Sequence, residues 1–420
     1  MSSVSTVTQR RPSEASKASK ETFIQSTGKA KTAINTNGDT FVVPQFTMKE
    51  ILDAIPAECY KRSYLKSFSY VFRDLFFIGL VAYIAHEYIH LIPSLSGRFV
   101  AWSIYGFING LFGTGCWVLA HECGHGAFSD SKTVNDIVGW FLHSALLVPY
   151  HSWRISHSKH HKSTGNLQRD TVFVPKSRET FTANRGVSVL AEISEDTPIY
   201  TLWNLLLQQL FGWNMYLFTN VTGQKYPNHS KYVVNHFVPT SPLFDEKDFM
   251  DIVISDLGII TTLTLLYLSV QKWGLATVAC YYIVPYFWVN HWLVFITYLQ
   301  HTDPTLPHYD HEEWNFARGA AATIDREFGF IGEYIFHDII ETHVLHHFVS
   351  RIPFYNARVA SDAIKKVLGE HYRHDDGNMV ASFYRAGRAC QFIEGDNGVK
   401  MFRNINNIGV APKVDKKLSE

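Results

Sequence analysis

Charge is scarce in this chain. Only 18% of its 420 residues are charged, and Lys plus Arg balance Asp plus Glu at 38 each. Zero net charge leaves no electrostatic footprint for nucleic acid, so no nucleic-acid partner is expected. So little charge, with 15% aromatics, leans toward one large membrane body rather than two or three soluble domains. Cysteine is sparse too. Cys59, Cys116, Cys123, Cys280 and Cys390 lie far apart with no C-x-x-C pair. That excludes a disulfide framework and fits a thiol-reducing cytosolic face. An n-region followed by an apolar h-region is missing, so a cleaved signal peptide is not expected. The first 43 residues, rich in Ser, Thr and Lys without an apolar run, read as a disordered tail.

Long apolar runs are what the chain does have. Four of them, at 71–92, 99–120, 252–270 and 275–299, are near or above the roughly 20 residues a helix needs to cross a bilayer. Short connections join them pairwise, which predicts two transmembrane hairpins whose outer ends emerge on one side. Lys61, Arg62, Lys66 and Arg73 flank the first span there, and the positive-inside rule makes that side cytosolic. Residues 44–67 read as an amphipathic entry helix. Runs at 137–150 and 202–219 read as interfacial or re-entrant helices, with Trp140, Trp153, Trp203 and Trp213 at headgroup level. The expected architecture is therefore an all-α integral membrane protein: four spans and a cytosolic helical cap. A membrane domain with its cap fills 44–350, and a cytosolic region, 351–420, continues the cap.

Histidine supplies the chemistry. His121-x-x-x-His125, His157-x-x-His160-His161 and His343-x-x-His346-His347 place imidazoles at helical spacing, along one face each. With 21 histidines, chance gives roughly 0.05 copies of H-x-x-H-H, and two are present. All three clusters, and His301 just past the fourth run, share the expected cytosolic face. Neutral imidazole is the commonest metal ligand, and a catalytic zinc site uses about three protein ligands. Eight or nine rings thus fit two metals with open positions. Imidazole suits iron, copper, zinc and nickel alike, so ligand type leaves the metal open. Cys123, inside the first cluster, reads as a packing residue rather than a soft ligand. His86-Glu87-x-x-His90 matches the H-E-x-x-H of zinc proteases, but it falls at the far end of the first span without a third ligand. A metal-dependent membrane hydrolase is the rival from another class. A transporter would carry its polar ligands within the spans.

The runs His121-Glu-Cys-Gly-His125-Gly-Ala-Phe-Ser129, His157-Ser-Lys-His-His161 and His343-Val-Leu-His-His347 resemble the three histidine boxes of membrane-bound fatty acid desaturases. Leu299-Gln-His-Thr-Asp-Pro304, Leu306-Pro-His-Tyr-Asp310 and Ile352-Pro-Phe-Tyr-Asn356 extend the likeness over roughly residues 45–405. Within the family the chain is most similar to fungal oleoyl Δ12-desaturases, through its second box and Phe402-Arg-Asn-Ile-Asn-Asn-Ile-Gly409.

The resemblance implies two irons held by His121, His125, His157, His160, His161, His301, His343, His346 and His347. It implies no catalytic residue beyond these ligands, and an O2-dependent insertion of a cis double bond into a fatty acyl chain. An ω3 or bifunctional desaturase, or a 12-hydroxylase, shares the same ligands and stays open. The carrier, phospholipid or CoA ester, stays open too. No His-Pro-Gly-Gly run marks a fused cytochrome b5 domain. The resemblance therefore implies a separate cytochrome b5 with its NADH-dependent reductase, in the endoplasmic reticulum membrane with both termini cytosolic. A homo-oligomer stays possible. Lys416-Lys417 matches a dibasic retrieval signal only loosely.

Single residues are weighed beside this. Where acyl-CoA relatives carry an asparagine four residues before the extra histidine, this chain has Thr297, whose hydroxyl is able to orient a water. Glu122 and Glu341 either orient ligating imidazoles or merely solvate a helix. Asp170, Asp325 and Arg326 match family patterns and are expected to bridge cytosolic segments. Tyr281, Tyr282, Tyr286, Phe287, Trp288 and Trp292 either line an acyl tunnel or pack and face lipid. His291 and Asp256, inside spans, are functional candidates. His143, His151, His229, His236, His291, His308, His311 and His337 are assigned to no metal.

Overall fold

A computed structural model of the chain describes residues 30–183, 197–406 and 408–410. Most of the expected tail (1–29) and Lys416-Lys417 lie outside the described residues. Residues 32–42, expected within that tail, instead form a hairpin, β1 (Thr32–Ile34) with β2 (Thr40–Val42). Phe41 and Val43 are buried there against Tyr309, Val399 and Met401, so apolar burial orders the segment.

The expected entry helix is two pieces. α1 (Met48–Ala54) starts at a capping box of Thr47 and Glu50, and the chain bends at Pro56 before α2 (Tyr64–Tyr88). Ser63 caps α2 by accepting from the Lys66 N–H. α3 (Leu95–His125) begins at Ser94 and ends at Gly126, whose φ of 68° lets the chain reverse just after the first histidine pair. There follow α4 (Lys132–Ala145), α5 (Tyr150–His161), α6 (Arg178–Ala183), α7 (Pro198–Thr219) and α8 (Phe249–Trp273).

Three helical stretches among the described residues are long and apolar enough to cross a membrane: Tyr64–Leu91, Leu95–His125 and Glu246–Trp273. The fourth expected run departs from a regular helix. It comprises α9 (Leu275–Val278), a π-helical turn at Ala279–Ile283, and α10 (Val284–His301). Pro285 explains the turn, because it lacks the N–H that would bond the carbonyl of Tyr281. That carbonyl accepts instead from the Tyr105 hydroxyl, 3.1 Å away on α3. Asn290, His291 and Gln300 further lower the apolarity of α10.

α10 packs along α3, whose glycines make the approach possible. A Cβ on Gly113 would sit 2.8 Å from Val289 Cγ2, and one on Gly110 would overlap the Trp288 side chain. Buried Val118, Val289, Leu293, Ile296, Leu299, Phe336 and Ile340 build the main core at this seam. Trp153 and Trp213, expected at headgroup level, are 3% and 6% exposed and belong to that core. Trp203 remains exposed.

Beyond α10 come α11 (Phe316–Ala320), α12 (His343–Phe348), α13 (Phe354–Leu368) and α14 (Met379–Ala389). A small antiparallel sheet orders β3 (Pro307–Tyr309), β7 (Val399–Arg403) and β6 (Phe392–Glu394) as β3-β7-β6. Its register pairs His308 with Lys400. A short parallel pair, β4 (Asp325–Arg326) with β5 (His374–Asp375), ties the segment before the third histidine cluster to the C-terminal region.

Candidate metal centre

Four helices deliver histidines to one place: the end of α3, α5, the end of α10, and α12. His121, His125, His157, His161 and His346 form one group, and His160, His301 and His347 a second, with ligand atoms within 4.8 Å in each. His343 completes the nine, its Nε2 3.1 Å from the His301 Nε2. The groups adjoin, since the His161 and His347 rings stack with centroids 4.1 Å apart. None of His143, His151, His229, His236, His291, His308, His311 or His337 falls in either group. His86 and His90 lie elsewhere, at the exposed end of α2, where His90 Nδ1 bonds the His86 carbonyl.

The nitrogens fit a metal better than they fit one another. His157 Nε2 lies 3.1 Å from both His121 Nε2 and His161 Nε2, yet one ring nitrogen carries at most one proton. Donors about 2.1 Å from a shared ion would stand roughly 3.0–3.4 Å apart, which matches. The Nε2 atoms of His125, His346 and His347 are buried without a hydrogen-bond partner among the described residues. Unpaired buried nitrogen is costly, and a metal ion would relieve that cost. Burial, reinforced by neighbouring imidazoles, holds His157, His161, His343, His346 and His347 well below the usual histidine range. These rings are neutral at pH 7, the state in which imidazole ligates.

Supporting contacts differ in part from the sequence expectations. Asp170, expected as a bridge, accepts from His160 Nδ1 at 2.9 Å and so aims the other ring nitrogen at the second group. The Thr164 hydroxyl lies 3.1 Å from His347 Nδ1, a contact the sequence reading missed. Two tryptophans were missed as well. Trp117 and Trp153 stack on His121 and His157, at centroid distances of 5.8 and 4.5 Å. Each precedes its histidine by four residues, so the helical period already carried that signal.

Glu122 and Glu341 do not hydrogen-bond an imidazole. Glu122 accepts from the Phe354 N–H at 3.0 Å, tying α3 to the start of α13, and its other oxygen is 3.9 Å from His121 Nδ1. Glu341 accepts from the Phe328 N–H, and burial raises its carboxyl to about 8. Thr297 is exposed and its hydroxyl donates to the Leu293 carbonyl at 2.7 Å, so it is spent on its own helix. Asp325 and Arg326 do bridge segments. Asp325 accepts from the Val344 N–H at the start of α12 and from the Tyr372 hydroxyl, both at 2.7 Å. Arg326, 1% exposed, donates to the Leu299 carbonyl and to Asp303, and pairs with Asp375.

Comparison with known proteins agrees with this geometry. The fatty acid desaturase family model matches residues 97–377. The oleate hydroxylase FAH12 of Claviceps purpurea is 47% identical over 90% of this chain and 85% of its own length. The Delta(12) fatty acid desaturase of Mortierella alpina is 47% identical over 89% of this chain and 94% of its own. An omega-6 fatty acid desaturase of Glycine max, endoplasmic reticulum isozyme 2, is 43% identical over 86% and 91%. Identity this high over nearly the whole chain, together with the histidine cluster that the family match encloses, carries the assignment: the chain belongs to the fatty acid desaturase family and is an oxidoreductase.

Proposed function

We propose that this protein is an O2-dependent di-iron desaturase that inserts a cis double bond at Δ12 of an oleoyl chain to give linoleoyl. The observation that carries the reading is the convergence of nine imidazoles into two adjoining groups. Relatives named Delta(12) desaturases at 46–47% identity support the position of the double bond. A second reading, hydroxylation of the same acyl chain, is favoured by one observation, the equal likeness to the Claviceps oleate hydroxylase.

In this reading His121, His125, His157, His161 and His346 hold one iron, and His160, His301, His343 and His347 hold the other. When bound, the irons supply the activation of O2 and the hydrogen removal that no side chain here is able to perform. The protein's part is position and exclusion of water. Asp170 fixes the His160 tautomer, and Trp117 and Trp153 wall the cluster. Neighbouring methylenes are chemically alike, so regiochemistry rests on where the acyl chain is held.

We further read α9, the π-turn and α10 as a fourth span, giving two hairpins with a cap and both termini cytosolic. The long exposed apolar faces of α2 and α8 support a bilayer around the helices. Residence in the endoplasmic reticulum, and electrons from cytochrome b5 reduced by its NADH-dependent reductase, complete the proposal. The test is the fatty acid profile of yeast lacking polyunsaturates, expressing the wild type or His160→Ala. A cis,cis-9,12-18:2 peak lost in the variant is expected. A hydroxylated product would move the function to the second reading, and no new lipid from folded, iron-loaded protein would overturn both.

A further inference from the structure

A large cavity, about 1060 Å³, lies beside the histidine cluster. The loop after α5, the inner face of α7, the end of α10 and the β6–β7 hairpin bound it. Its inner wall touches the centre: Thr302 follows His301, and the Phe173 ring is 6.1 Å from the His301 ring. Thr302 is 1% exposed, and its hydroxyl has no hydrogen-bond partner among the described residues.

Charge at this cavity is one-sided. Lys176, Lys225 and Lys400 line it, and Asp310 is the one acid among the lining residues. Lys400 already pairs with Asp310 at 3.2 Å. Lys176 and Lys225 are exposed and make no ion pair among the described residues. Two cations without an ion pair among the described residues therefore line a space whose walls carry amides.

α7 forms one of these walls. Tyr200, Asn204 and Gln208, at successive helical turns, face the cavity. Leu202, Trp203, Leu206, Leu210 and Phe211 on the other face are exposed. An exposed apolar stripe of that length suits a bilayer surface, and the cavity lies on the opposite face of the same helix.

The geometry points to this cavity as the binding site for the phosphate-bearing carrier group of the acyl substrate, an inference that rests on the acyl-lipid reading above. Lysine is a point-charge binder of phosphate, and amide side chains add donors. Size separates phosphate carriers from a free fatty acid, because a lone carboxylate would leave most of the space unfilled. Ligand pockets of about 300–1,000 Å³ enclose molecules far larger than that. A phospholipid headgroup and the phosphates of a CoA ester present the same chemistry here, and the acyl chain leaves past Thr302 toward His301.

The test uses the purified, iron-loaded full-length protein in detergent, with Lys176→Glu/Lys225→Glu against wild type. Lys272→Glu, a cation at the end of α8, controls for general charge. Equilibrium binding of radiolabelled dioleoyl phosphatidylcholine, oleoyl-CoA and phosphate-free methyl oleate is measured at low and high salt. The double variant is expected to bind at least one phosphate carrier roughly tenfold more weakly, with methyl oleate changed less than about twofold and the difference shrinking in salt. Loss confined to phosphatidylcholine names a phospholipid carrier, and loss confined to oleoyl-CoA names a thioester. No loss, or an equal loss for all three ligands, overturns the carrier site. Wild type that binds these ligands in a lysine-dependent way but forms no product would refute the proposed reaction and leave this site standing. Wild type that forms linoleoyl with a KM unmoved by the double variant would do the reverse.

Discussion

Asp170 shows how one carboxylate governs an imidazole. It is 1% exposed, accepts a hydrogen bond from His160 Nδ1, and also accepts from the Val172 and Phe173 N–H groups. Removing the charge while keeping the shape weakens the hold on the tautomer. Asp170→Asn is expected to lower metal affinity by roughly 10–100-fold, in line with other outer-sphere carboxylates. Iron per protein, measured by mass spectrometry on the purified variant, checks it. Iron content equal to wild type would reduce Asp170 to a loop-capping residue. The histidines themselves were legible in the sequence, because i, i+3, i+4 spacing survives into α5 and α12. The role of Asp170 was not, since its ten-residue separation from His160 carries no helical period.

Helices α3 and α10 make the same point one scale up. The sequence marks both as apolar runs, but their pairing depends on glycines that read only as small residues. Gly110 lies under Trp288 with no room for a Cβ, whereas Gly79 on α2 has nothing within 4 Å of one. Gly110→Val is expected to part the helices and lower the melting temperature in detergent by many degrees, through overpacking of about 1–3 kcal/mol or more. Gly79→Ala should hold or raise it, by up to roughly 1 kcal/mol of helix propensity. A Gly110→Val protein that melts with wild type would show that the seam yields without cost. The π-turn at Ala279–Ile283 was also latent in the sequence: Pro285 announced a lost backbone bond, but only the fold shows Tyr105 repairing it.

At the scale of the whole molecule, burial of histidine couples stability to pH. His236 sits between Ser156 and the Tyr216 hydroxyl, and burial takes it down to about 4. Burial takes His308, packed near Phe402, to about 3. At pH 7 both rings are neutral folded or unfolded. Below about 6.5 the unfolded chain binds protons that the folded chain refuses, so stability falls with acid, down through about pH 4. The slope is on the order of 1 kcal/mol per ring per pH unit. Iron-free protein should therefore lose melting temperature steadily between pH 6.5 and 4.5, and His236→Gln should flatten that slope. A flat profile in the wild type would show that these rings protonate in place.

By itself the sequence determined the long apolar helices and the nine clustered histidines, because apolar run length and helical spacing are local properties of the chain. It misjudged what long-range burial decides. Trp153 and Trp213 went to the core instead of the interface, and residues 32–42 folded because Phe41 and Val43 found partners more than 250 residues away. Only the tertiary structure sorted the imidazoles into two groups, set Asp170 on His160, and left Glu122 and Glu341 to backbone amides. Spacing fixes which residues share a helix face. Which faces meet depends on how glycine, tryptophan and buried charge pack between helices far apart in the chain.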